Sequence, residues 1–363
     1  MRIAFANAAY RAKASDGGNA HVAQFVTNAA ALGHEIWMWP RRNHPSARAL
    51  PEGRLSRFRM LTRMDVIYSR VDAQVPLGAR SSCQRLAELV GGAARVWEFN
   101  TIPQFAALRG ASAQQIGGEI RDFNRFAARC DLAVCVSKRL AQFVEDQLGI
   151  KTVVTIPNGS DPELFRPDVP KVPRFALERD YVNVVWMGSA KLQWHNLSLL
   201  RDAAKILWED PSTQHIRFSI LGEGRGFMKD MPKNVGYYGP EEYSALPNWL
   251  SAMHIGLCLY TPGPADYGSP LKLFDYMSSG LAVIGTPQPQ LCEVFAQLGQ
   301  ADLVVPADDP KSFAKTLASL AIDRDRVRRQ GQLGRQLVLE YYNWRRVAQE
   351  TLSAISAVAQ KRS

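Results

Sequence analysis

Residues 266–284 read DYGSPLKLFDYMSSGLAVI, and this stretch decides the fold. Its Gly-Ser-Pro corner, residues 268–270, predicts a tight turn in which Ser269 or Pro270 starts a helix. Apolar side chains then recur at three-residue spacing, which predicts a helix with one apolar face. Gly280 ends that helix, and the apolar run after it predicts a buried strand. The stretch therefore has the loop, helix and strand pattern of an α/β sheet.

The start of this helix has the chemistry of an anion site. Its first amides have no carbonyl partner within the helix, so they attract an anion such as a diphosphate. Lys272 lies in the same turn, where the helix dipole disfavours a cation unless an anion shares the space. Asp275 follows three residues later and can accept hydrogen bonds from paired hydroxyls such as those of a ribose. The alternative is an ordinary amphipathic helix on which Lys272 and Asp275 form a solvated pair.

Size and composition predict a two-domain protein of a reducing compartment. The chain has 363 residues and is 46% hydrophobic, which is enough for two cores. No apolar run approaches the roughly 18 residues of a membrane span, so we expect a soluble or peripheral protein. Its five cysteines are odd in number and lack a Cys-x-x-Cys pair, which predicts free thiols. The histidines and cysteines have no zinc-type spacing, so no metal is expected.

The net charge of +10 is concentrated in one arginine-rich stretch, residues 41–70. Such a stretch suits an anionic membrane surface, a phosphate-bearing acceptor or nucleic acid. Nucleic acid ranks last, because the stretch has only Phe58 and Tyr68 among its arginines, which is few for a stacking platform. The alternative is a solubilising surface. The arginines concerned are Arg41, Arg42, Arg48, Arg54, Arg57, Arg59, Arg63 and Arg70.

Strands and helices alternate along the chain, which predicts two Rossmann-like, doubly wound parallel sheets. The first domain is expected over residues 1–165 and the second over 166–344, with a proline-containing linker near the boundary. The helix at 345–363 is expected to pack back on the first domain. A cleft between the two halves would be the natural place for a ligand. Within the second half we expect a helix over Tyr243–Ala252, a last strand at Leu303–Val305 and a helical tail from Asp309 to Ala354 broken near 342–344.

Two features of the first half are candidates for a ligand site. Glu98 and Asn100 end a predicted strand, and ligands of open α/β sheets lie beyond the carboxyl ends of strands. The alternative for Glu98 is an ion pair with one of the arginines. Gly17 and Gly18 stand at a loop-to-helix junction, where glycine lets backbone amides approach a phosphate closely. A glycine pair at such a place is also common in simple turns.

Taken together, several short motifs resemble those of the GT-B glycosyltransferases of the family 4 type, in the same order and over almost the entire chain. The amino-terminal GGNAH at 17–21 is similar to that family's first loop and helix. IPNGSD at 156–161 is similar to its "PNGVD" segment. WMG at 186–188, followed by WHN at 194–196, is similar to its "GSF..WHG" variant. SPLKLFDYM at 269–277 is close to its "SPLKLFEYM" signature.

The resemblance implies a GT-B fold that transfers a sugar from a nucleotide-diphosphate sugar, with retention and without an essential metal or cofactor. It implies that Asp275 holds the ribose, that the amides around Leu271 face the diphosphate and sugar, and that the glycines at 222 and 224 lie against the base. Gly17 and Gly18 would close on the diphosphate. The donor-binding residues it implies are Gly17, Gly18, Gly188, His195, Gly222, Gly224, Asp266, Tyr267, Ser269, Pro270, Leu271 and Asp275. The catalytic groups it implies are Glu98, Asn100, Lys191 and Lys272.

This chain departs from the family pattern at several of these positions. The family carries an acid eight residues before the ribose-binding carboxylate, where this chain has Tyr267 with Asp266 beside it. His195 stands at the position of a phosphate-binding lysine, and Lys191 is the nearby cation. Asn100 stands where some relatives have a catalytic histidine, so Glu98 and Asn100 are expected on the acceptor side.

The sequence therefore predicts a metal-independent, hexosyltransferase-type enzyme of surface-polysaccharide or glycolipid assembly. Its acceptor would be a glycan or a lipid-linked intermediate. We expect it in the cytoplasm, peripheral at the inner face of the membrane through the 41–70 region. The alternative is a non-catalytic, nucleotide-sugar-binding partner subunit of a glycosylation complex.

Overall fold

The computed structural model describes residues 1–6, 17–39, 44–71, 81–173 and 180–360. The chain forms two compact units. The first comprises residues 1–158, 267–269 and 344–363, and the second comprises 159–266 and 270–343. The division therefore falls after Asn158, upstream of the predicted residue 165, and the carboxyl-terminal helix clusters with the first unit. The short segment 267–269, which includes most of the Gly-Ser-Pro corner, also clusters with the first unit.

The first unit is built on a seven-stranded, fully parallel sheet of order β3-β2-β1-β4-β5-β6-β7. Its elements are β1 Arg2–Ala6, α1 Gly17–Ala31, β2 Glu35–Trp39, β3 Arg48–Ala49, α2 Arg54–Leu61, β4 Val66–Val71, α3 Ser82–Val90, β5 Ala94–Phe99, α4 Ala113–Ala127, β6 Leu132–Cys135, α5 Lys138–Leu148 and β7 Val153–Thr155. The central strands are buried on both faces, as parallel strands covered by helices must be. Ser81, Ser112 and Ser137 accept a backbone hydrogen bond at the starts of α3, α4 and α5, which fixes where these helices begin.

The second unit is built on a five-stranded parallel sheet of order β10-β9-β8-β11-β12. Its elements are β8 Val182–Ser189, α6 Leu197–Glu209, β9 Ile216–Glu223, β10 Val235–Gly239, α7 Leu246–Leu250, β11 Ile255–Cys258, α8 Leu271–Ser278, β12 Ala282–Gly285, α9 Pro289–Gln297, α10 Pro310–Ile322 and α11 Arg324–Glu340. The last helix, α12 Trp344–Ala359, belongs to the first unit and packs on α1. Both sheets have the doubly wound order predicted from the alternation of strands and helices.

Three predicted elements of the second unit differ from the structure. The helix expected over Tyr243–Ala252 covers only Leu246–Leu250, because Pro247 sits in its first turn and fits only the start of a helix. The helical tail has an additional break at Asp323, whose side chain caps the next helix by accepting from the Arg326 amide. The strand expected at Leu303–Val305 is a single bridge between Val304 and Gly285, since a 3-10 turn occupies Ala301–Leu303.

The helices and the cysteines bear on two expectations from composition, which concern membrane spans and disulfides. Across the described ranges, no helix combines the length and the apolar character needed to cross a bilayer. All five cysteines are free, as predicted.

Candidate functional site

Helix α8 is buried along almost its whole length. Every side chain from Lys272 to Ser278 is buried, including the carboxylate of Asp275, and only Leu271 at the start is partly exposed. The predicted apolar face does pack in the core, through Phe274 and Met277. The other faces of the helix are covered as well, so the alternative of a solvated Lys272–Asp275 pair is wrong. The helix lies among β11, β12 and α11, which cover it on several sides. A lysine and an aspartate in such a place need specific partners, because burying an unpaired charge is costly.

The ammonium of Lys272 lies in a cage of aromatic rings at the end of β8. Its Nζ is 4.7 Å from the centroid of the Trp186 ring and 5.3 Å from that of Tyr260, and both rings can attract a cation through their faces. The Nε2 atom of His195 is 3.4 Å away. A Cβ placed on Gly188 would stand 3.0 Å from the same Nζ, so glycine keeps the space that the lysine occupies. Burial lowers the pKa of Lys272 to about 8, which leaves it mostly charged at neutral pH.

His195 orients this lysine as a neutral ring. Burial, reinforced by the positive charge of Lys272, lowers the pKa of His195 to about 3. Its Nδ1 is 2.8 Å from the carbonyl oxygen of Ser189, so Nδ1 carries the proton and donates it. The Nε2 lone pair is then left facing the Lys272 ammonium. A neutral His195 adds no positive charge to the site, so Lys272 supplies the charge there.

One turn further along α8, Asp275 has a partner that sequence reasoning did not find. The Ser160 hydroxyl donates to the Asp275 carboxylate across 2.6 Å. Burial nevertheless raises the pKa of Asp275 to about 7, because the hydrogen bond from Ser160 offsets only part of the desolvation and Asp161 adds a nearby negative charge. Ser160 belongs to the segment 156–161 that carried the family resemblance, which was the available signal. Asp275 is thus poised between its two protonation states near neutral pH.

The glycines at the ends of β8 and β9 allow two strands to approach closely. Gly222 has φ +134°, and a Cβ there would lie 1.7 Å from the carbonyl oxygen of Gly188. Gly224 has φ +117°, and a Cβ there would lie 2.5 Å from that of Ala190. Both positions need glycine for conformation and for space. Gly222 therefore has a packing role, and the base contact predicted for it stays a prediction.

Beyond these glycines lies a cavity of about 550 Å³. Gly224 and Lys191, both predicted site residues, line it together with the aromatic residues Phe227 and Tyr237. The Lys191 ammonium is exposed and 3.2 Å from the Glu223 carboxylate, which also lines the cavity. The structure thus brings these two predicted residues to one cavity.

In the first unit, Glu98 is the centre of a buried polar cluster. Its carboxylate accepts hydrogen bonds from Tyr68 at 2.6 Å and from Arg70 at 3.1 Å, and lies 3.0 Å from His21 Nε2. The Asn100 side-chain amide donates to it as well. Burial alone would raise the pKa of Glu98, but His21, Arg70 and Tyr68 together hold it well below the usual range. The alternative of an ion pair with an arginine therefore describes Glu98 correctly, and its carboxylate is a fixed anion.

This cluster is hydrogen-bonded through to the Gly-Ser-Pro corner. His21 Nδ1 is 2.8 Å from the Asn158 side-chain oxygen. The side-chain amide of Asn158 donates through Nδ2 to the Ser269 carbonyl at 2.7 Å, and the backbone N–H of Asn158 donates to the Ser269 hydroxyl at 3.0 Å. At the other end, Arg70 donates to the Gly18 carbonyl at 3.2 Å. Ser269 and Gly18, two predicted donor-binding residues of the first unit, are thus joined by one buried network. Sequence reasoning missed its members His21 and Asn158, although both lie in quoted motifs.

Of the remaining predicted residues, those at 266, 267 and 270 lie in or beside the same corner. Asp266 is buried in the short 3-10 turn 264–267 and accepts from the Gly263 amide at 3.1 Å. The carbonyl of Tyr267 accepts from the Ser137 hydroxyl at 2.8 Å, and its ring packs on Phe143 of α5. Pro270 is the residue before α8 and makes no side-chain cap. Gly17 is the first residue of α1.

The arginine-rich stretch divides into buried and exposed residues. Arg70 is buried in β4 against Glu98, and Arg57 is buried with its guanidinium 3.3 Å from the centroid of the Trp39 ring. The prediction that Arg57 and Arg70 belong to a positively charged surface was therefore wrong, because partners from other elements hold both side chains inside. Arg41 and Arg42 lie outside the described residues. The exposed members are Arg48, Arg54, Arg59 and Arg63.

Comparison with known proteins gives a sequence match within the second unit and a fold match over the chain. Residues 182–323 match the family model described as glycosyl transferases group 1. A protein of Bacillus subtilis (strain 168), named as teichuronic acid biosynthesis glycosyltransferase TuaH, is 27% identical over 175 residues. That alignment covers 46% of this chain and 42% of the relative, so the chain matches less than half of the relative's length.

Solved structures match nearly the whole chain. Sucrose-phosphate synthase from Thermosynechococcus elongatus superposes with a TM-score of 0.75 at 15% identity, covering 99% of this chain and 100% of the other. Anabaena Alr3699/HepE, in complex with UDP-glucose, gives 0.70 at 12% identity, covering 98% and 100%. An E. coli structure described as trehalose-6-phosphate bound with UDP-2-fluoro glucose gives 0.69 at 11% identity, covering 98% and 99%. The GT-B fold that the resemblance implies is confirmed, and residues 182–323 match a glycosyltransferase family model. Family 4 and retention stay predictions.

Proposed function

We propose that the chain is a glycosyltransferase that takes its sugar from a nucleoside diphosphate sugar bound in the second unit. The observation that carries the proposal is the buried, mostly charged Lys272 in the first turn of α8. A cation held at a helix start is disfavoured by the helix dipole, and a bound anion removes that conflict. The printed descriptions of two structural neighbours, which hold UDP-glucose and UDP-2-fluoro glucose, support a donor of this class.

The proposed donor extends from the start of α8 in two directions. Its diphosphate meets the Lys272 ammonium and the first amides of the helix, and its ribose hydroxyls donate to Asp275. Ser160 remains a donor to the same carboxylate. The nucleobase enters the cavity beside Lys191, whose lining includes the aromatic residues Phe227 and Tyr237. A bound ribose would favour the ionised form of Asp275, since hydroxyls donate to a carboxylate.

The proposed chemistry is stabilisation of a leaving nucleoside diphosphate. Negative charge grows on the diphosphate as the bond to the sugar breaks, and a fixed cation with fixed amides stabilises that charge without reorganising. Lys272 is suited to this task because Trp186, Tyr260 and His195 hold it in place. We propose that transfer proceeds with retention and without an essential metal, as in the family 4 enzymes that the sequence resembles.

For the acceptor we propose a glycan or lipid-linked intermediate of a cell-surface polymer, handled at the cytoplasmic face of the membrane. The name of the Bacillus subtilis relative, which refers to teichuronic acid biosynthesis, supports this class. Glu98 and Asn100 are proposed to act on the acceptor side by positioning neighbouring groups. Glu98 is not proposed as a general base, because its depressed pKa makes it a poor proton acceptor.

A panel of nucleotide sugars tests the proposal. Purified protein is incubated with each donor, and release of nucleoside diphosphate and saturable binding are measured. We expect one donor to bind and to be hydrolysed slowly, with Lys272→Met reducing both by at least about tenfold. Lys205→Met, which removes an exposed lysine on α6, is the matched control and should change neither. Binding without turnover on any acceptor would favour the non-catalytic partner subunit, and no binding at all would refute the donor site.

A further inference from the structure

We propose that the outer face of α2 and α3 is a docking surface for an anionic lipid bilayer. Membrane docking is separate from sugar transfer, and α2 and α3 would supply the contact residues at the proposed membrane location. The positions of exposed apolar side chains on these helices, which the sequence did not single out, support such a surface.

Helices α2 and α3 lie side by side and run in the same direction. At their starts, the Cys83 thiol is 3.5 Å from the Arg54 carbonyl oxygen. At their ends, a Cβ placed on Gly91 would lie 3.7 Å from the Cα of Thr62. Their inner faces are buried in a common cluster that includes Leu61 and Ala87. The opposite faces of the two helices therefore form one continuous surface.

That surface is unusually apolar. The side chains of Leu55 on α2 and of Leu86, Leu89 and Val90 on α3 are 63%, 47%, 48% and 62% exposed. The three on α3 have the i, i+3, i+4 spacing of a single helix face. Contiguous exposed apolar groups of this kind mark interaction sites rather than ordinary solvated surface.

The same surface is positively charged. The sequence from 54 to 63, RLSRFRMLTR, contains four arginines and no acid. Arg54, Arg59 and Arg63 are exposed, whereas Arg57 is held inside by Trp39. The acid of α3, Glu88, is buried and accepts from the Ser69 hydroxyl, so its carboxylate lies on the inner side.

A bilayer carrying anionic lipid fits both properties. Leucine and valine side chains insert at the boundary of headgroups and acyl chains while arginines contact the phosphates. A nucleic acid would instead be expected to require aromatic residues for base stacking, and the outer residues here are aliphatic. Each arginine near an anionic surface contributes about fivefold to binding. Three of them should therefore change the partition coefficient about 100-fold.

Vesicle sedimentation tests this surface with no need for donor or turnover, so its outcome is independent of the proposed activity. The full chain is mixed with phosphatidylcholine vesicles that contain or lack phosphatidylglycerol, at about 0.15 M salt. We expect sedimentation only with the anionic vesicles. The triple variant Arg54→Gln, Arg59→Gln, Arg63→Gln should reduce it about 100-fold. The double variant Leu86→Ser, Val90→Ser should reduce it at least about tenfold, with the residual binding more sensitive to salt.

Helix α11 offers a matched control, because it also presents arginines with an exposed leucine. Arg328 there is paired with Asp325, and Leu333 is 46% exposed. Arg328→Gln combined with Leu333→Ser should leave sedimentation unchanged. Thermal unfolding and gel filtration of every variant verify folding and oligomeric state.

Several outcomes would overturn the inference. The first is that the wild type does not sediment with anionic vesicles. The second is that the α2–α3 variants sediment as well as the wild type, and the third is that the α11 control loses as much binding as the α2–α3 variants. A wild-type dimer that Leu86→Ser, Val90→Ser dissociates would assign the surface to self-association and would also overturn it.

Discussion

Replacing Asp275 by asparagine should alter how the stability of the protein depends on pH. Burial raises the pKa of this carboxyl from 3.8 to about 7, so between these values the folded protein keeps a proton that the unfolded chain has released. The free energy of unfolding therefore falls as pH rises from about 4 to about 7, and it stays at the lower level above that. A shift of this size corresponds to about 4 kcal/mol. Asparagine keeps the acceptor oxygen for Ser160 and cannot ionise. The free energy of unfolding of Asp275→Asn should therefore not show this fall with pH.

Urea unfolding of the two proteins between pH 4 and pH 8 measures the effect. The difference in unfolding free energy, Asp275→Asn minus wild type, should increase by about 4 kcal/mol across that range and then level off. Any constant cost of fitting the new amide cancels, because only the change with pH is compared. Ser160→Ala is a useful second variant. It removes the hydrogen bond that favours the carboxylate, so the levelling should move to higher pH. A difference that stays flat from pH 4 to pH 8 would refute the reasoning.

Three further substitutions have defined expectations in unfolding experiments. Gly222→Ala should cost more than about 3 kcal/mol or prevent folding, because its Cβ would overlap the Gly188 carbonyl oxygen, whereas Gly226→Ala, with open space at that position, should change little. Glu98→Gln should destabilise by about 3 kcal/mol at pH 7, with the difference shrinking as pH falls below 4.5, because the native carboxylate has a lowered pKa; no loss at pH 7 would contradict the buried cluster. The free energy of unfolding of His195→Gln should rise relative to that of the wild type as pH falls from 6.5 towards 3, since the native ring resists protonation while the unfolded chain accepts the proton. Unfolding free energies that change in parallel with pH would contradict this.

The fold was predictable because its signals are local. The Gly-Ser-Pro corner and Gly280 bracket α8 in the structure as they do in the sequence. Serines that cap helices, such as Ser137, and the apolar runs of the central strands also act within a few residues. Where two short-range signals compete, the predicted bounds are wrong. Pro247 is an example, because it fits only the first turn of a helix and α7 is therefore shorter than predicted.

The environment of the candidate site was less predictable, because it is made by residues far apart in the chain. Lys272 was identified from its place in the first helical turn, but its aromatic cage comes from Trp186 and Tyr260 on other elements. The pairing of Asp275 with Ser160 spans more than a hundred residues. No local pattern encodes these contacts, since sheet register and helix packing decide them.

The arginine-rich stretch illustrates the same limit at the surface. Arg57 and Arg59 are two residues apart in one helix, yet the first is buried and the second exposed. What separates them is the Trp39 ring on β2, which receives the Arg57 guanidinium. Residue type alone predicts a positive surface, and only the fold tells which arginines belong to it.

Calorimetric titration of the intact protein with a nucleoside diphosphate and with the matching nucleoside tests most directly whether α8 holds an anionic donor. Because the charge of Lys272 and the helix amides act on the diphosphate alone, the diphosphate should bind at least about tenfold more tightly than the nucleoside. That preference should fall sharply in Lys272→Met, where only the helix amides remain, and it should persist unchanged in the control Lys205→Met. Equal affinities for the two ligands in the wild type, or a preference that is undiminished in Lys272→Met, would contradict the assignment of the site.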